Sequence, residues 1–148
     1  MERIKKILVP SDFSAHSGEA LQFAADLARH YSASIDLIHV FDTLTYALPE
    51  GYVIPSADEL DRMLKQCQVQ LDEERRGALE LGAGAVETAV LQGGSVPEII
   101  QFAKEHGSDL IVMGTHGRTG FKHFLIGSVA ERVVRTAPCA VLTVRGKD

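Results

Sequence analysis

Between Met113 and Ser128 the chain reads MGTHGRTGFKHFLIGS, a segment that gathers four glycines, two histidines, an arginine and a lysine. The spacing is Gly114, two residues, Gly117, nine residues, then Gly127-Ser128. Glycines close together let backbone N–H groups converge on an anion, and a helix that starts just after them adds free donors and a favourable dipole. A single glycine reads equally well as a turn residue, so only the set is informative. There is no GxxxxGK[ST] in the chain, and these glycines follow the fourth predicted strand rather than the first. That disfavours a P-loop and a dinucleotide fingerprint alike.

Ser128 and Glu131 also fit an S-x-x-E capping box, as do Ser56 with Glu59 and Ser95 with Glu98. A second polar cluster, Pro10-Ser11-Asp12, ends the first predicted strand. A carboxylate there can accept hydrogen bonds from a ligand, or it can close an Asx-turn or cap the next helix. The six histidines show no HExxH pattern and no ligand-like spacing, and no nucleophile–base pair is recognisable from spacing. Cys67 and Cys139 lie far apart with no CxxC and are read as small buried hydrophobes.

The elements that position these residues follow from periodicity. Ile7 to Val9 is an apolar run, β-branched at both ends, that stops at Pro10, and Ser14 to Tyr31 repeats apolar residues at helical spacing. SIDLIHVFD predicts a second buried strand, and a helix follows from Ser56 towards Leu81, with Asp58–Arg62 and Asp61–Lys65 as surface pairs. AVETAVLQG gives a third strand. A short helix then stops at Gly107, and LIVMG is the fourth strand. SVAERVVRTA closes at Pro138, and CAVLTVR is the last strand. Strands that alternate with helices call for an α/β fold, a parallel sheet with helices on both faces. Ligands bind such sheets beyond the carboxyl ends of the strands, where the strand order reverses.

At 148 residues the chain has the size of one domain, expected to span 1–148, and 45% hydrophobic with 24% charged residues is an ordinary globular composition. A formal net charge of -5 argues against nucleic acid as the main partner. The opening MERIKKILVPSD carries neither a leader-like nor a membrane-spanning pattern, so a cytoplasmic location and no membrane partner are expected.

With these segments in view, the chain resembles the ATP-binding branch of the universal stress protein family. The likeness rests on Gly114-x2-Gly117-x9-Gly127-Ser128, on ILVPSDFS, on DLIVMGTHGRTG and on GSVAERVVRTAPCAVLTV, and it covers essentially the whole chain. The resemblance implies a single open, doubly wound five-stranded parallel sheet in the order 3-2-1-4-5. Such a fold is Rossmann-like, of the adenine nucleotide alpha hydrolase type. It implies that Asp12 binds the ribose hydroxyls while Pro10 and Ser11 shape the floor, and that Val40 offers its backbone to adenine with Met113 packing nearby. Gly114, Gly117 and Gly127 would line the triphosphate, with Ser128 and Val129 donating from the helix start. His116, Arg118, Lys122 and His123 would reach phosphate or stay solvated.

The cofactor implied is ATP or another adenine nucleotide, with a divalent ion such as Mg carried in by its phosphates. The resemblance further implies a homodimer through the edge strand 139–145, whose unpaired backbone invites another copy. The function expected is a nucleotide-dependent sensor or switch in a stress response, with an unidentified protein partner. Its alternatives are a slow Mg-dependent ATPase or phosphotransferase and a nucleotide-independent interaction module. The loop TLTYALPEGYVIPS, with Tyr46, Tyr52, Val53 and Ile54, is read as a flap, a partner contact or local packing.

Overall fold

The run Ile7–Val9 forms the centre of strand β1 (Lys6–Pro10), and all three side chains are fully buried in a computed structural model that describes residues 3–42, 54–116 and 126–147. Helix α1 (Ala15–Tyr31) and strand β2 (Ser34–Phe41) follow, then α2 (Ala57–Glu80) and β3 (Val86–Gln92). The chain continues through α3 (Ser95–His106), β4 (Leu110–Gly114), α4 (Ser128–Thr136) and β5 (Ala140–Val144). All the strands pair in parallel, in the order β3-β2-β1-β4-β5, which is the doubly wound sheet expected. With β1 flanked by β2 and β4, the strand order reverses at β1.

Alternation along the strands builds two cores. Ile7, Val9, Ile35 and Leu37 face α1 and α2, where Ala20, Ala24, Ala25 and Ala28 form a small-residue stripe that lets α1 lie close to the sheet. Leu8, Ile38, Ile111 and Met113 face α3 and α4, meeting Ile99, Phe102 and Val133. Burying a side chain such as Leu71 or Val133 contributes roughly 1.5–3 kcal/mol. Asp36 is the exception in β2: it is buried, its Oδ2 lacks a hydrogen-bond partner among the described residues, and Lys6 Nζ stands 4.0 Å away.

The helix ends test the capping expectations. At α2 the box is present, with Ser56 accepting from the Glu59 N–H at 3.2 Å and Glu59 accepting from the Ser56 N–H at 2.8 Å. At α3 and α4 it is not: the N-caps are Gly94 and Gly127, without a side-chain cap, and Ser95 and Ser128 are already the first helical residues. The S-x-x-E pattern works only when the serine itself has the extended N-cap backbone, and here the preceding glycine takes that position. Gly107 ends α3 in the left-handed conformation expected, with φ 64°. Lys65 pairs with Asp61 at 2.8 Å, whereas Arg62 donates to the Asp58 carbonyl.

Candidate functional site

Two strand ends meet where the order reverses. β1 and β4 are direct neighbours, with Ile7 opposite Leu110 and Leu8 opposite Ile111. This adjacency brings Pro10-Ser11-Asp12 and Gly114-Thr115-His116 to the same end of the sheet.

The turn after β1 is tied down from several sides. Ser11 is buried, and its N–H donates to the Ile38 carbonyl at 2.8 Å. Its hydroxyl donates to Glu74 Oε1 at 3.0 Å, accepts from the Phe13 N–H at 3.1 Å, and lies 3.2 Å from the Ser17 hydroxyl. Asp12 Oδ1 accepts from the Ser14 N–H at 3.0 Å, so the Asx-turn alternative is realised in a half-buried residue. Phe13 adopts φ 63°, a left-handed conformation costly for a bulky side chain, and its ring stacks on His39 at 4.3 Å. His39 Nδ1 sits 2.8 Å from the Ser11 carbonyl. A carbonyl can only accept, so that ring nitrogen carries a proton.

The β4 side is closed by backbone. The buried Thr115 donates its N–H to the Val144 carbonyl at 3.1 Å, and its own carbonyl accepts from the Gly127 N–H. This second bond draws the start of α4 against the end of β4. Thr115 Oγ1 and His116 Nδ1 are 3.0 Å apart, and the His116 ring lies 5.7 Å from that of His16 on α1. Gly114 is packed tightly for a reason the sequence did not show: a β-carbon there would lie 3.1 Å from the His16 carbonyl oxygen.

Pro10 closes β1 opposite Ile38, and the half-buried Val40 lies towards the carboxyl end of β2 opposite Leu91. Met113 is buried in the core shared with α3 and α4. Ser128 and Val129 are exposed in the first turn of α4. Gly117, Arg118, Lys122 and His123 lie outside the described residues, as does the 43–53 part of the loop read as a flap.

Sequence reading missed Glu74, His39, His16 and Ser17. Glu74 had left a signal, because it occupies the buried stripe of α2 formed by Cys67, Leu71 and Ala78, where a charge is out of place. Burial pushes its pKa above the usual carboxylate value; the Ser11 hydroxyl opposes this, and the nearby Asp12 charge adds to it. Cys67 is buried as expected, and partial burial, reinforced by Asp109, raises the Cys139 thiol. Among the described residues, no group of three or more His, Cys, Asp or Glu is placed to hold a metal ion. No described helix is long and apolar enough to cross a membrane.

Comparison with known proteins agrees with this architecture. The model of the universal stress protein family matches residues 3–145. Universal stress protein MJ0531 of Methanocaldococcus jannaschii is 40% identical over 144 residues, which cover 95% of this chain and 82% of that protein. The solved structure of universal stress protein UspA from Lactobacillus plantarum superposes with a TM-score of 0.85 at 28% identity, covering 98% of this chain and all of that one. A universal stress protein solved in complex with cAMP shares the fold, with a TM-score of 0.74 at 22% identity over 97% of this chain and 98% of that one. Sheet order and sequence agree, and the chain belongs to the universal stress protein family.

Proposed function

We infer that this protein binds an adenine nucleotide, ATP in the first instance, at the β1–β4 switch point and acts as a nucleotide-dependent switch. The observation that carries the reading is the bond from the Gly127 N–H to the Thr115 carbonyl. It brings the positive end of α4, whose N-cap Gly127 has no side chain to cap it, to the strand end beside the Asp12 turn. In this reading Asp12 accepts from the ribose hydroxyls, and Val40 and Met113 flank the adenine. Gly114, Gly117, Gly127, Ser128 and Val129 hold the phosphates, with a divalent ion accompanying them. The relative solved with cAMP supports an adenine ligand for this fold.

Identification of the nucleotide that co-purifies, followed by calorimetry on wild type and Gly117→Val, tests the reading. A branched side chain at Gly117 is expected to abolish binding by blocking backbone approach to phosphate. Absence of binding to wild type at millimolar ATP would end the proposal. A switch holds ATP without rapid turnover; robust single-turnover hydrolysis lost in Asp12→Ala would instead make the protein an ATPase.

The edge position of β5 supports a homodimer through residues 139–145, since no described strand pairs with its outer side.

A further inference from the structure

Glu74 sits where an apolar residue would be cheaper to bury. It lies on the inner stripe of α2, one carboxylate oxygen meets the Ser11 hydroxyl at 3.0 Å, and the other is buried without a hydrogen-bond partner among the described residues. Glu74 is half-buried, and leaving one of its carboxylate oxygens buried without a partner costs free energy that an apolar residue would not incur.

The Ser11 hydroxyl has one proton and two lone pairs. With the proton committed to Glu74, one lone pair accepts from the Phe13 N–H at 3.1 Å, while the Ser17 hydroxyl, 3.2 Å away, gives its own proton to the Ser14 carbonyl. The Phe13 bond spans Asp12 and helps to hold Phe13 at φ 63°, the left-handed step on which the Asp12 turn depends. Strained backbone of this kind persists only where surrounding contacts over-determine it.

We propose that Glu74 is a positioning residue of the nucleotide site: acting through the Ser11 hydroxyl, it holds the 11–14 turn in the shape that presents the Asp12 carboxylate to the ribose hydroxyls. This rests on the adenine-nucleotide reading above.

The test is calorimetry of ATP and of 2′,3′-dideoxy-ATP, which lacks the ribose hydroxyls, on wild type, E74A, E74D and E74Q, with thermal melts of each. E74D withdraws the carboxylate by one methylene and keeps its charge, whereas E74Q keeps an acceptor oxygen in place. E74A and E74D are expected to lose about tenfold in ATP affinity while dideoxy-ATP binding stays within about twofold, and E74Q is expected to bind both as wild type does. Equal losses for the two nucleotides would show a general loss of structure and overturn the proposal. So would unchanged ATP affinity in E74A and E74D, or failure of E74Q to restore it. If E74A does not fold, E74D carries the same comparison. Wild type that binds neither nucleotide would defeat the adenine-nucleotide reading itself and this proposal with it; a wild type that binds ATP alongside unaffected variants defeats the proposal alone.

Discussion

Gly114 at the end of β4 lies against the backbone of His16 on α1, so that a β-carbon at 114 would stand 3.1 Å from the His16 carbonyl oxygen and 3.2 Å from its carbon. The obstacle is helix backbone, which cannot rotate aside. Gly114→Ala is therefore expected to destabilise the fold by about 1–3 kcal/mol, read as a lower urea midpoint at unchanged slope. An unchanged midpoint would mean that α1 shifts freely.

The capping assignments separate three serines that look alike in sequence. Ser56→Ala removes the side-chain half of a reciprocal cap, leaving the backbone N–H that Glu59 accepts from, and is expected to cost about 1 kcal/mol. Ser95→Ala and Ser128→Ala remove no cap and are expected to stay within about 0.5 kcal/mol. Denaturation of the three variants side by side checks this, and equal losses would contradict the observed caps.

Asp36 makes stability pH-dependent. Burial raises its pKa above 3.8, partly offset by Lys6 and His106, with Glu87 adding a smaller upward push. The folded state thus holds the proton more tightly than the unfolded one, and the associated stability, complete below 3.8, is lost as pH rises through the raised folded value. Asp36→Asn is expected to flatten that fall and to be more stable than wild type at neutral pH. Parallel stability–pH profiles for the two proteins would refute the assignment.

The dimer prediction is tested in solution. Sedimentation at micromolar concentration is expected to give the mass of two chains. A single-chain mass there would sink the β5 interface.

The sequence made the fold legible because its signals are local. The runs at Ile7–Val9 and Leu110–Gly114 are buried on both faces, Gly107 stops α3, and Pro138 follows α4, so each element announces itself within a few residues. The candidate site was legible in part. Asp12, Gly114 and Gly127 do come to one end of the sheet, yet Ser95 and Ser128 misled, because an S-x-x-E pattern does not say whether the serine or the glycine before it takes the cap.

By itself, then, the sequence determined the alternation of strands and helices, the two-sided burial and the glycine before α4, all set by hydrophobic periodicity and by glycine. Tertiary structure alone decided that Gly114 must make room for His16 and that Glu74, 63 positions from Ser11, supports the turn carrying Asp12. The physical reason is that a hydrogen bond or a steric limit between distant segments depends on how helices settle on the sheet, and no local pattern encodes that placement.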